Sequence, residues 1–340
     1  MAYPPKIDVH HHFIPPVYAA KCKVNNLPSV STLLSTCIRR EANYPLLHHL
    51  VVKTSNFKLP PWSPQLSIDY MDTVGTQTAI LSFPNIFLHE GEEDSKAIAR
   101  QANTYAAGVR DTYPSRFGFF ATVPSLSSVE VVLEEIKYAF DTLHADGVLL
   151  MTRYGKKYLG HADFKPIWAA LNARKAVVFI HPGSSIENNP VNEYLSPPVL
   201  DFPHETTKTA LDMIISGTVR LYPDVKVILS HAGGNLPFVV GRAASLLPSF
   251  SGLKTATTED IIEDAKRLYF DLALSSTSHT LDTLLRNFPS NHVMYGSDFP
   301  FAPPVATIPL AKGLDAYLTD DETRSKVYLR NALGVFPRLR

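Results

Sequence analysis

Residues 176–181 read AVVFIH and residues 226–231 read KVILSH, with HETTKTALDMIISGTVRLY (204–222) between them. Each short stretch is an apolar run rich in β-branched residues that stops at a histidine. The longer stretch repeats apolar residues at three- and four-residue intervals, as an amphipathic helix does. A run that is apolar at nearly every position, not at every second one, predicts a strand covered on both faces. Strands joined through a helix run parallel. The pattern is strand, helix, strand, with both strands buried.

The same unit recurs in both directions along the chain. Ile7–His12, Thr78–Phe83, Phe117–Val123, Gly147–Thr152, Leu268–Ala273 and Val293–Ser297 bring the predicted strands to eight. Helical patterns such as SKAIARQANTYAAGVRDTY (95–113) and SVEVVLEEIKYAFDTLH (128–144) lie between them. Eight such units predict an α/β fold, a (β/α)8 TIM barrel. Two stretches depart from the pattern. From about Pro15 to Pro64 a long Pro-rich insertion follows the first strand, and it is expected to cover the mouth of the site. SSIENNPVNEYLSPPVLDFP (184–203) follows the fifth strand and is again rich in turn formers. No internal repeat or low-complexity tract is present, and residues 1–340 read as a single barrel domain.

With 340 residues the chain can bury one large core, and 32 basic residues balance 32 acidic ones. That balance leaves no global field to attract nucleic acid or an anionic membrane. No apolar run approaches the roughly 18 residues of a membrane span. A basic segment followed by a long apolar one is missing near the start, so a cytoplasmic protein is expected. Cys22 and Cys37 fit no zinc spacing and read as free thiols.

The strand ends carry the chemistry. Residues 6–16, KIDVHHHFIPP, finish the first strand with three histidines. Strict alternation puts Asp8, His10 and His12 on one face and His11 on the other, with Ile7 and Val9. His181 ends strand five, His231 ends strand six, and Asp298 in VMYGSDFPF ends strand eight. Reactive groups of such barrels gather at the C-terminal ends of strands, so His10, His12, His181, His231 and Asp298 should meet on one rim. Imidazoles with a carboxylate suit a borderline ion such as Zn²⁺, with Mn²⁺ as the alternative. A polar, hydrogen-bonded strand end is the plain reading of any one of them taken alone.

The order His-x-His, HPG, HAGG, GSD resembles the amidohydrolase superfamily. Within it the chain is similar to the branch of aminocarboxymuconate semialdehyde decarboxylase and aromatic-acid decarboxylases. The likeness runs from IDVHHH to YLRNA, and its most specific pieces are SHAGGNLPFVVGR and YGSDFPF. It implies that His10, His12, His181 and Asp298 bind one divalent ion and that His231 stays free to act on water or substrate. It also implies that Arg242, eleven residues after His231, grips a carboxylate. Asp8 would be a further ligand or a support. Two-metal relatives carry a bridging Lys or Glu near the end of strand four. Here Thr152 and Arg153 stand there and Lys156 follows, which favours one ion and leaves Lys156 as the alternative.

PPWSPQLSIDYMDTVGTQTAILSFP (60–84) is similar to fungal 6-methylsalicylate decarboxylases, which turn a salicylate-type acid into a phenol. The resemblance thus implies a carboxy-lyase acting on a small aromatic carboxylic acid, here 6-methylsalicylate to m-cresol and CO₂, and a homodimer. Decarboxylation of an aromatic acid needs a proton delivered to ring carbon, and His231 and Asp298 are the candidates. The same groups would also run hydrolysis or hydration of a lactone or unsaturated acid. Trp62, Phe299 and Phe301 are expected to line the mouth against a flat apolar ring.

Overall fold

The computed structural model describes residues 4–21, 60–84, 92–183, 192, 195–250 and 256–340. Eight parallel strands follow one another around a single sheet in chain order. They are β1 (Lys6–His12), β2 (Thr76–Ser82), β3 (Phe117–Thr122), β4 (Gly147–Met151), β5 (Val177–His181), β6 (Lys226–Leu229), β7 (Tyr269–Asp271) and β8 (Val293–Met294). The longer helices between and after them, among the described residues, are α1 (Pro64–Val74), α2 (Glu92–Thr112), α3 (Val129–Asp141), α4 (Lys165–Ala173), α5 (Pro197–Ile215), α6 (Leu236–Phe250), α7 (Thr258–Lys266), α8 (Ser278–Asn287) and α9 (Pro304–Tyr317). Backbone bonds close the ring between β1 and the chain after β8: Val9 N–H to Tyr295 O at 3.0 Å and Asp298 N–H to His10 O at 2.8 Å. The protein is a (β/α)8 barrel.

The apolar character of both strand faces has a direct cause. Val177 and Phe179 of β5 point into the barrel, where they pack with Val9, Ile80, Phe120 and Leu149. Val178 and Ile180 of the same strand point outward into the larger core under the helices. Both sets are buried. At about 25 cal/mol per Å² of apolar surface, the two layers are the main favourable term in folding.

α1 illustrates the local control of element ends. The Ser63 side chain accepts the Leu66 N–H at 3.2 Å, and Pro64 begins the helix where its missing N–H costs nothing. Gly75 ends it at φ 72 in the left-handed region, and its N–H closes on Met71 O.

Three expectations need qualification. Residues 22–59, most of the Pro-rich insertion, lie outside the described residues, as do Cys22 and Cys37 and most of the second departure (184–191, 193 and 194). A small hairpin, Arg153–Tyr154 with Lys157–Tyr158, extends the loop after β4 and was not expected from sequence. It is tied to α5 through buried Glu205, which meets Arg153 Nε at 3.0 Å and the Tyr158 hydroxyl at 3.1 Å.

The third qualification is a correction in β1. Asp8 pairs with Ala79 of β2 but His11 pairs with Leu81, so β1 spends one extra residue on the ladder. Such a bulge shifts the phase of alternation. Ile7 and Val9 therefore join the barrel interior, with His10 and His12 following on that side, while Asp8 turns to His11. Strict alternation had placed Asp8 with His10 and His12, and it fails because the strand is not regular. Among the described residues no helix is long and apolar enough to cross a membrane.

Candidate metal centre

The bulge and the strand ends bring one cluster together. His10 and His12 on β1, His181 on β5 and Asp298 after β8 each place a ligand atom within 4.8 Å of the others. All four are buried. His10 Nε2 lies 3.0 Å from His12 Nε2 and 3.4 Å from Asp298 Oδ1, and His12 Nε2 lies 3.0 Å from the same oxygen. A tetrahedral ion with ligand distances of about 2.0–2.1 Å sets its donors roughly 3.3 Å apart, so the spacing fits a small divalent cation. Three electron-pair donors this close repel one another unless positive charge lies among them.

Each imidazole is aimed by its other nitrogen. His10 Nδ1 meets Asp271 Oδ2 at 2.9 Å, His12 Nδ1 meets the Ser82 hydroxyl at 2.8 Å, and His181 Nδ1 meets Pro182 O at 2.8 Å. Partners of this kind fix the tautomer, leaving Nε2 as the inward donor, and raise its basicity. Asp271, at the end of β7, had no role assigned from sequence. The signal was available, because YFDLA carries one carboxylate inside an apolar strand. Its Oδ1 also accepts the N–H groups of His231 at 3.2 Å and Ala273 at 2.8 Å. With both oxygens engaged, Asp271 supports the cluster, and with His10 and His231 it forms a second group of donors within 4.8 Å of one another.

Electrostatics divide the group. Burial alone would push His10 down, but Asp271, and with it Asp298, outweighs burial and lifts His10 up to about 10. Burial and the neighbouring His10 hold His12 down to about 4, against the pull of Asp298. Burial, then His12 and His10, drive His181 well below the usual histidine range. For Asp298 burial acts upward, yet the bonds from His10 and His12 keep it well below the ordinary carboxylate range. One positive charge is thus strongly favoured at His10, and a divalent ion would take the place of that proton.

His231 stands beside this set. Its ring centroid is 4.8 Å from that of His10 and 6.2 Å from that of His181. Its Nδ1 is committed to Ala273 O at 3.0 Å, so Nε2 is the atom free to exchange a proton. Burial, then His10, lowers its pKa.

The expected lining residues separate. Phe301 is half-buried with its ring 4.8 Å from His12. Phe299 is buried and stacks on Tyr70 at 4.3 Å with His11 at 5.1 Å, so it belongs to the layer between β1 and α1. Trp62 is half-buried against Phe13 at 5.8 Å and Tyr105 at 6.0 Å. Arg242 is exposed on α6. Thr152 is buried at the end of β4, while Lys156 is exposed at the hairpin turn. Asp8 bonds His11 and two backbone N–H groups and is not among the clustered donors. A cavity of about 720 Å³ opens at the other end of the barrel, lined by Lys226, Tyr269 and Val177. That is the end where strands begin, away from the clustered side chains.

Fold and cluster together define a barrel whose strand ends gather His and Asp side chains at a spacing that fits a divalent metal. Residues 7–338 match the Amidohydrolase family, and the chain belongs to that family. It is 42% identical over 339 residues to the 6-methylsalicylic acid decarboxylase of Penicillium expansum, covering 98% of this chain and 97% of that one. It is 39% identical over 344 residues to the 6-methylsalicylic acid decarboxylase acuB of Aspergillus aculeatus, covering 98% and 97%. Among solved structures, a dihydroxybenzoic acid decarboxylase from Polaromonas sp. with bound manganese superposes with a TM-score of 0.77. Its sequence is 20% identical, over 99% of this chain and 98% of that one, a likeness of fold.

Proposed function

We infer that this chain is a metal-dependent, non-oxidative decarboxylase of a small aromatic hydroxy acid, and that its substrate is 6-methylsalicylate, released as m-cresol and CO₂. The observation that carries the reading is the cage of three imidazoles and one carboxylate, all within 4.8 Å, with the His231 ring beside it. The two fungal relatives, 42% and 39% identical over nearly the whole chain, carry 6-methylsalicylic acid decarboxylase as their name. His10, His12, His181 and Asp298 are assigned as ligands. Three nitrogens and one oxygen suit Zn²⁺, and the manganese in the Polaromonas enzyme makes Mn²⁺ the alternative. By family resemblance the working unit is a homodimer.

When bound, the ion supplies Lewis-acid polarisation and a template for two adjacent substrate oxygens. The protein's own residues do the rest. Decarboxylation places a proton on the ring carbon that bears the carboxylate, then breaks the C–CO₂ bond, and the electron pair restores the aromatic ring. His231 Nε2 and the Asp298 carboxylate are the two groups in place to take up the proton of the substrate's ortho hydroxyl and pass it to the ring carbon. Phe301, against His12, offers a flat apolar wall for the ring, and Trp62 is assigned to the same mouth. Phe299 stiffens β1 from behind through His11. Arg242 is assigned to the substrate carboxylate.

A panel of hydroxybenzoates tests the substrate. A hydroxyl ortho to the carboxylate can share one ion with it, whereas a para hydroxyl cannot. CO₂ release from 6-methylsalicylate is expected to exceed that from 4-hydroxybenzoate by two orders of magnitude or more, as expected for loss of a positioning contact. Turnover of the para isomer with none of 6-methylsalicylate would show that the ortho pair is not what the site reads.

A further inference from the structure

The middle histidine of the run, His11, lies outside the cluster of donors. His11 points away from the cage and stands in a continuous chain of hydrogen bonds. Trp62 Nε1–H donates to Ser67 Oγ at 2.9 Å, and Ser67 Oγ meets His11 Nε2 at 2.9 Å. His11 Nδ1 then meets Asp8 Oδ2 at 3.0 Å. The second oxygen, Asp8 Oδ1, accepts the backbone N–H of His10 at 3.1 Å and of Ser297 at 3.0 Å. Ser67, His11 and Asp8 are each 0% exposed, and only Trp62 reaches partly toward solvent.

The polarity of this chain is fixed at both ends. An indole N–H only donates and an ionised carboxylate only accepts. Ser67 must therefore accept from Trp62 and give its own proton to His11 Nε2, and His11 must give its Nδ1 proton to Asp8. In this arrangement every donor is used once. The chain ends on the backbone of one ligand, His10, and of the residue before another, Asp298. These two segments are also stitched directly, Asp298 N–H to His10 O at 2.8 Å. Asp8 thus clamps β1 to the end of β8 at the place where their side chains must hold a spacing of 3.4 Å between His10 Nε2 and Asp298 Oδ1.

We propose that Trp62, Ser67 and His11 are positioning residues for the metal cage, acting through Asp8, so that a partly exposed aromatic ring governs how tightly the ion is held. This rests on the metal-dependent reading above. Without the indole N–H, the Ser67 hydroxyl is no longer obliged to donate toward His11. The His11 tautomer is then unlocked, and the Asp8 carboxylate loses a fixed donor. The two strands are held less closely, and the ion is bound less well although no ligand has changed.

The test is Zn²⁺ affinity in the full chain, measured by competition with a chromophoric chelator for wild type, Trp62→Phe, Ser67→Ala and the double variant. Each single variant is expected to weaken Zn²⁺ binding about tenfold or more, the range for residues that orient metal ligands. The double variant is expected to be no weaker than the weaker single one, because both cut the same chain. A merely structural role would lower the melting temperature and leave Zn²⁺ affinity unmoved. Trp62→Phe keeps the ring and decides the matter even if Ser67→Ala does not fold. Zn²⁺ affinity of Trp62→Phe within twofold of wild type, or single effects that multiply in the double variant, would overturn the proposal. A wild-type chain that binds no divalent ion at all would instead overturn the metal-dependent reading itself.

Discussion

His181→Ala is expected to yield a folded barrel that retains no divalent ion and releases no CO₂ from 6-methylsalicylate above background. The backbone of β5 is paired with β4 on one side and β6 on the other, so the strand survives loss of one terminal side chain. The cage does not survive. His181 supplies one of four donors, and its Nδ1 bond to Pro182 O serves only to aim the other nitrogen inward. Elemental analysis after gel filtration checks this: one ion per chain in wild type, none in the variant. Two tightly held ions in wild type would contradict the mononuclear assignment, which rests on Thr152 and exposed Lys156 at the end of β4. An undiminished ion in the variant would remove His181 from the ligand set.

His231→Ala should separate binding from chemistry. The ring lies beside the cage, tethered by Nδ1 to Ala273 O, with Nε2 free. Its loss is expected to leave the ion in place and to lower kcat by about 10²–10⁴, the usual contribution of a positioned proton-transfer group. The same elemental analysis, paired with steady-state kinetics at saturating metal, reads both quantities. An ion-free protein after this substitution would move His231 into the ligand set. Full activity would leave the proton to Asp298.

Much of this was legible in the sequence because it rests on short-range rules. Apolar runs such as VVFIH and KVILSH could only be strands buried on both faces, and their terminal polar residues had to share a rim once the barrel closed. That much placed His10, His12, His181, His231 and Asp298 on one rim; the narrower choice of His10, His12, His181 and Asp298 as ligands came from the resemblance to the amidohydrolase superfamily. What was not legible rests on irregular backbone or on contacts far apart in the chain. The phase of β1 depends on one bulged residue, which nothing in KIDVHHH marks, so Asp8 was set on the wrong side. Asp271 was overlooked although it breaks an apolar strand as His181 does. Phe299 and Phe301 are two residues apart around Pro300, and alternation could not say which would face His12. The chain from Trp62 to Asp8 joins residues 54 positions apart through Ser67, and no local pattern announces it.

The most direct test of the central claim is turnover of 6-methylsalicylate by the metal-loaded protein in water enriched with ¹⁸O, with gas and organic products analysed together. Protonation of the ring followed by loss of the carboxylate consumes no water. The account predicts one CO₂ for each m-cresol formed, with no solvent oxygen in the m-cresol. An organic product carrying ¹⁸O and no release of CO₂ would mean that the cage activates water, and that the protein is a hydrolase or hydratase.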